Sequence, residues 1–97
     1  MIQSFMDIII LQHLKNNNPM SGYDIIRYLH KKFHMLLSPG TVYSILYTLE
    51  RQNLIEGSTN QRKRVYKLTE QGEKLLRQVQ VTREHIYAVF SSVFSEV

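Results

Sequence analysis

Ninety-seven residues and 11.5 kDa make one small domain, too short for separate cofactor and substrate domains. Hydrophobic residues are 43% and charged residues 21%, which is ordinary globular usage and argues against wholesale disorder; the lack of cysteine excludes a disulfide framework, a thiolate zinc site and a cysteine nucleophile. Twelve Lys/Arg against eight Asp/Glu leave a net charge of +4 and a pI near 9.5, a balance that suits an anionic partner without requiring one.

Met1 to Met6 contains no basic residue, and Asp7 breaks the approach to the apolar run Ile8-Ile9-Ile10-Leu11. That is no export signal, and no stretch nears the ~20 apolar residues of a membrane span. A soluble, cytoplasmic protein is the expectation. The first helix is predicted over about Gln3 to Lys15, ended by Asn16-Asn17-Asn18-Pro19. Its apolar residues fall on two sides: Ile8, Leu11 and Leu14 on one, Ile2, Phe5, Met6, Ile9 and Ile10 on much of the other. A helix apolar nearly all round is buried on more than one side. In so small a domain the second side is expected to meet another subunit.

Ser21 can cap a second helix with Asp24 in its first turn. Ile25, Ile26, Leu29 and Phe33 recur at core spacing, Arg27, Lys31 and Lys32 look outward, and the helix fades by His34. Ser38-Pro39 is the clearest helix start in the chain, a capping hydroxyl followed by proline at the first helical position. This third helix is predicted over about 39–52. Val42, Ile45, Leu46 and Leu49 form its buried stripe, and Gly40, Tyr43, Ser44, Tyr47, Thr48 and Arg51 the opposite one. Asn53 can take the left-handed conformation that ends a helix.

Leu54-Ile55-Glu56 and Arg64 to Leu68 read as two short strands, joined by a polar, flexible link from Gly57 to Lys63 that is longer than a tight turn. Period two puts Tyr66 and Leu68 inward, with Val65 and Lys67 on the other face. Thr69 then caps a last helix with Glu70 and Glu73 in its first turn. Leu75, Leu76, Val79, Ile86, Val89, Phe90, Val93 and Val97 keep a near-heptad spacing broken at Thr82-Arg83. A helix of that length projects beyond a compact core, and its stripe wants a partner helix.

Helix, helix, turn, helix and then a hairpin with a basic loop is the order of a winged helix-turn-helix: a mainly α fold with a small β-hairpin and a long C-terminal helix. Charge placement carries the case for DNA. From Gly57 to Thr69 the charged residues are Arg62, Lys63, Arg64 and Lys67, all positive, with no acid in that stretch to neutralise them. Such a wing, about 57–67, can follow a phosphate backbone or enter the minor groove; the plainer account is a solvated hairpin blunting a sheet edge. Tyr43, Ser44, Tyr47 and Thr48 offer hydroxyls to phosphates or base edges, and Arg51 can pair with phosphate. The plainer account of the two tyrosines is packing against another element or subunit.

Gly22-Tyr23-Asp24-Ile25, Leu37-Ser38-Pro39-Gly40-Thr41-Val42-Tyr43, Leu46, Leu49-Glu50, Leu54-Ile55 and Arg64 to Gly72 follow one another in an order and spacing that resembles the PadR family of transcriptional regulators. The resemblance spans about Gly22 to Gly72. It implies a homodimeric repressor with the third helix in the major groove, the hairpin on the flanking backbone, and the first and last helices building the dimer. Ser44 stands where the family often has proline, and Asn53 where it often has glycine; neither change breaks the helix. One C-terminal helix, without a second helical extension, matches the short branch of the family. The lack of tryptophan counts against the aromatic drug-binding slot of some short members, so any small-molecule effector is unspecified; Tyr87, Phe90 and Phe94 read as core or interface.

On this basis residues 1–69 are expected to form the DNA-binding domain and 70–97 the dimerisation helix. Ser38, Gly40, Thr41, Tyr43, Ser44 and Thr48 would set the base-facing end. Tyr23, Arg27, Tyr47, Arg51, Arg62, Lys63, Arg64 and Lys67 would hold phosphates. Phe5, Ile9, Val79, Ile86, Val89, Phe90, Val93 and Phe94 would form the dimer interface, placing two third helices about one DNA turn apart. A metal sensor is a rival, since His30 and His34 lie one helical turn apart, but two ligands are too few for a tight site, and His13 and His85 stand alone. No resident metal or cofactor is expected. Without a nucleophile elbow, a glycine-rich phosphate loop or paired carboxylates, catalysis is not expected either. The rival of another class is a winged-helix protein–protein adaptor, for which acidic or apolar residues would be expected in place of the basic hairpin.

Overall fold

The computed structural model describes residues 4–33, 38–79 and 88. Three helices, α1 (Phe5–Asn16), α2 (Gly22–Phe33) and α3 (Pro39–Arg51), precede a fourth, α4, helical over 70–79; a sheet is built from β1 (Met20–Ser21), β2 (Ile55–Asn60) and β3 (Lys63–Leu68). The winged helix-turn-helix architecture expected from the sequence is present.

Local chemistry sets most boundaries. At α1, Ser4 Oγ accepts from the Asp7 amide while Asp7 Oδ2 accepts from the Ser4 amide, both at 3.2 Å. That reciprocal box caps α1 ahead of Phe5; Gln3, where the sequence predicts the start, lies outside the described residues. Ser21 and Asp24 repeat the arrangement at α2, at 3.1 and 3.4 Å. Ser38 caps α3 by accepting from the Thr41 amide at 3.2 Å, with Pro39 next. Asn53 ends it at φ 61°. The caps at Ser21 and Ser38 and the stop at Asn53 match the reading of the sequence; the Ser4 and Asp7 box was not read from it.

The core gathers Ile10, Leu11 and Leu14 of α1, Ile25, Ile26 and Leu29 of α2, Val42, Leu46 and Leu49 of α3, then Leu54, Ile55, Tyr66, Leu68 and Leu76. One side of α1 differs from expectation. Ile10, not Ile8, joins Leu11 and Leu14 inside, because positions i, i+1 and i+4 bracket a narrower arc than 8, 11 and 14; Ile8, Met6 and Ile9 are half-buried at its margin, and Phe5 is 78% exposed. Ile45 is likewise half-buried beside a stripe whose other members are fully inside.

Two features of the sheet go beyond the expected hairpin. β1 adds a third strand in the order β1-β3-β2, pairing Met20 with Tyr66 and Ser21 with Val65, and Asn18 Oδ1 prolongs the pairing by accepting from the Leu68 amide at 2.9 Å. The hairpin is also tight. Pairing continues to Asn60 and Lys63, so the turn is only Gln61-Arg62, with φ of 50° and 67°. Two positive φ values are what a twist-matched two-residue turn requires. Non-glycine residues supply them here, which is why the sequence shows no turn signal.

The start of α4 is locked to the end of α3. Thr69 Oγ1 accepts from the Gly72 amide at 3.0 Å and donates to the Asn53 carbonyl at 2.6 Å, while the Thr69 amide donates to the Leu54 carbonyl at 3.2 Å. Gly72 lies directly on that Leu54 carbonyl, and any Cβ would collide with it and with Leu68 Cδ1. Gly72→Ala gains about 1 kcal/mol of helix propensity but overpacks against backbone, at a cost of ~1–3 kcal/mol. A net loss of about 1 kcal/mol is expected in urea melts; a more stable variant would show that the carbonyl yields.

Candidate nucleic-acid interface

Burying Val42, Leu46 and Leu49 turns the other side of α3 outward. Gly40, Thr41, Tyr43, Ser44, Tyr47, Thr48 and Arg51 are all exposed, as are Ser38 and Tyr23. Tyr23 and Tyr47 are each 64% exposed and Tyr43 is 44% exposed. For aromatic side chains in so small a domain that is a costly display of apolar surface. Two of them carry an arginine: the guanidinium of Arg27 lies 5.8 Å from the Tyr23 ring centre and that of Arg51 5.8 Å from Tyr47, within cation–π range. Each pair presents a phenol and a cation side by side.

Not every hydroxyl is equally placed to donate outward. Thr48 Oγ1 donates back to the Ser44 carbonyl at 3.1 Å, which leaves it an acceptor toward a ligand. Ser38 Oγ accepts from the Thr41 amide and is 2.9 Å from Thr41 Oγ1, so both hydroxyls serve the cap.

Tyr43 joins the helices. Its ring lies across the first residue of α2, where a Cβ on Gly22 would come within 2.5 Å of Tyr43 Cε1 and 2.8 Å of its hydroxyl oxygen. Only glycine lets the ring lie there. Beside it, Tyr23, Tyr43, Arg62, Lys63 and Arg64 line one cleft of about 350 Å³ together with Ser21 and Gly22. The N-terminus of α2, the outer face of α3 and the tip of the hairpin therefore meet at one place.

Next to it, Tyr43, Tyr47, Arg51 and Arg64 share a second cleft of about 470 Å³ with Glu50 and Tyr66. Here the expectation of an unopposed basic wing fails. Arg64 Nη2 donates to Glu50 Oε2 at 2.6 Å, so an acid from α3 neutralises one wing cation across the fold. Glu50 is the sole acid of α3; sequence reasoning missed its role, and that isolation is the signal that could have found it. Tyr66, buried below Arg64, has its phenol pKa raised by burial against the opposing pull of Arg64, so it stays neutral.

Lys67 stands apart. It shares a groove with Glu56, Ser58, Val65 and Tyr66, away from Tyr23, Tyr43 and Tyr47. On the far side of α2, His13 stacks on Tyr28 at 3.4 Å, and burial with nearby Lys32 lowers its pKa. Phe5 is exposed, and Ile9 and Val79 are half-buried. The remaining interface candidates Ile86, Val89, Phe90, Val93 and Phe94 lie outside the described residues, as do His34, His85 and Tyr87. Among the described residues no group of three or more His, Asp or Glu is placed to hold a metal ion, and no helix is long and apolar enough to cross a membrane.

Comparison with known proteins agrees with this architecture. Residues 10–78 match the family model described as the transcriptional regulator PadR-like family. Among solved structures, the chain is similar to a PadR family transcription regulator from Clostridium difficile, with 25% identity, a TM-score of 0.82, and coverage of 94% of this chain and 99% of that one. It is similar to a transcriptional regulator from Clostridium thermocellum at 26% identity, TM-score 0.74, covering 95% and 97%. It is also similar to Bacillus subtilis PadR in complex with operator DNA, at 25% identity and TM-score 0.70 over 79% of this chain and 47% of that one. No curated protein sequence matches it.

Proposed function

The chain belongs to the transcriptional regulator PadR-like family, and on that premise we propose that it is a sequence-specific binder of double-stranded DNA acting as a homodimeric repressor in the cytoplasm. The observation that carries the reading is the meeting of Tyr23, Tyr43 and the wing cations Arg62 and Lys63 in one cleft beside the outer face of α3. A helix face of hydroxyls with flanking cations has the chemistry to read base edges in a major groove while phosphates are held on either side. In this reading Ser38, Gly40, Thr41, Tyr43, Ser44 and Thr48 face bases. Tyr23, Arg27, Tyr47, Arg51, Arg62 and Lys63 hold phosphates, and Lys67 takes the far edge of the wing.

Residues 1–69 would then be the reading domain and 70–97 the dimerisation helix. The apolar outer side of α1, with Phe5 and Ile9, and the stripe begun at Val79 and continued by Ile86, Val89, Phe90, Val93 and Phe94 would close a two-fold interface. Such symmetry sets the two α3 helices about 34 Å apart, one turn of the duplex. No catalytic step belongs to this function.

The test is a fluorescence-anisotropy titration against duplex from the protein's own upstream region and a scrambled control, at two salt concentrations, with the mass of the free protein measured by light scattering. Tighter, salt-sensitive binding to the upstream duplex by a dimer supports the reading. Binding to neither duplex at low salt would replace it with the adaptor, and a monomer would remove the two-fold part. Within the reading, Gly22→Ala displaces the far end of Tyr43, a flexible group, and so leaves the melting temperature nearly unchanged. Its affinity for the upstream duplex should fall about tenfold, the worth of one lost hydrogen bond.

A further inference from the structure

From the contact between Glu50 and Arg64 we infer that the two form a latch fixing the angle of the wing against α3, and that Arg64 is a positioning residue rather than a phosphate ligand. The inference rests on the DNA-binding reading and deepens it. Arg64 lies on the same face of β3 as Tyr66 and Leu68, turned toward α3, whereas Lys63 lies on the other. Its guanidinium donates to Glu50 at 2.6 Å and lies 5.8 Å over the Tyr66 ring. Gly57 of β2, directly opposite Tyr66 in register, makes room: a Cβ there would stand 2.8 Å from Arg64 Nη2 and 2.9 Å from Glu50 Oε1. An acid, a glycine and a cation from three elements thus fit together at one crossing point.

A carboxylate beside a phosphate-binding face opposes the binding of any duplex. The side chains are 47% and 32% exposed, and a pair so wetted adds little to stability. What it does supply is geometry, a bidirectional tie between the reading helix and the strand that carries Arg62 and Lys63. Its expected effect is to lower affinity for arbitrary duplex while holding helix and wing at the spacing of one site. Discrimination gains what general affinity loses.

Wild type, Glu50→Gln, Arg64→Gln and the double variant are compared on the upstream and scrambled duplexes across a salt series, with thermal melts of the free proteins. Glu50→Gln should bind the scrambled duplex several-fold tighter, with a log-affinity slope against log salt steeper by about 0.9 per protomer as the guanidinium is released to phosphate. The preference for the upstream duplex should narrow. Arg64→Gln should leave the slope unchanged, and the double variant should melt with either single variant, since one interaction is lost in all three. A slope reduced by about 0.9 per protomer in Arg64→Gln overturns the inference, because Arg64 then leaves Glu50 for phosphate on binding. So does an unchanged slope and preference in Glu50→Gln, or additive melting losses. These results presuppose a wild type that binds; one that binds neither duplex overturns the DNA reading and the latch with it.

Discussion

Replacing Arg62 and Lys63 together with alanine is expected to lower affinity for upstream and scrambled duplexes alike by on the order of 100- to 1,000-fold near 0.1 M salt. The effect is electrostatic. Each cation that neutralises a phosphate contributes about 0.9 to the slope of log affinity against log salt. Two such cations on each of two protomers therefore limit the loss of slope to about 3.6. Both side chains are exposed at the tip of the hairpin, so the fold should melt as the wild type does. Because phosphates carry no sequence, the ratio between the two duplexes should hardly change. A slope equal to that of the wild type would take the wing off the DNA.

On α3, neighbouring residues should give opposite results. Leu46 is fully buried in the core, on a helix that packs against α2 and β2, and Leu46→Ala removes methyl groups where the surrounding elements cannot collapse to fill the space. A loss of about 3 kcal/mol is expected, lowering the melting temperature by roughly 12 °C or more for a domain of this size. Tyr47, one residue on, points out of the fold. Tyr47→Ala should melt close to wild type while binding duplex more weakly. If Tyr47→Ala unfolds the protein as Leu46→Ala does, the outer face of α3 is a packing surface and not a reading one.

Three helix starts were legible in the sequence from the capping side chain, while the Ser4 and Asp7 box at α1 was missed. Ser21, Ser38 with Pro39, and Thr69 each hold the amides expected of them, and Asn53 takes the positive φ its position demanded. The period-two reading of Tyr66 and Leu68 survives for the same reason, because burial of one face fixes register. What could not be read depends on partners distant in the chain. β1 is too short for a pattern of its own and exists only because β3 offers it an edge. The turn at Gln61-Arg62 is tight without glycine because the paired strands on either side impose it. The choice of Ile10 over Ile8 follows from the narrow arc of α1 that turns to the core, where α1 packs against β3. For the candidate site, the exposure of the outer residues of α3 and of the hairpin tip was legible from periodicity and charge. Glu50 was not, since local charge counting looks along the chain and the carboxylate arrives from across the fold.

The bond from the Leu68 amide to Asn18 joins residues fifty positions apart, and every residue of α3 lies inside the loop it closes. Closing a loop of that length costs about 3–4 kcal/mol of chain entropy, recovered only when β1, β3 and the core between them form together. A chain still being synthesised can therefore carry α3 complete before β3 is there to join β1 and β2. The surface proposed to meet DNA is expected to be complete only after the last residue of the wing has been made.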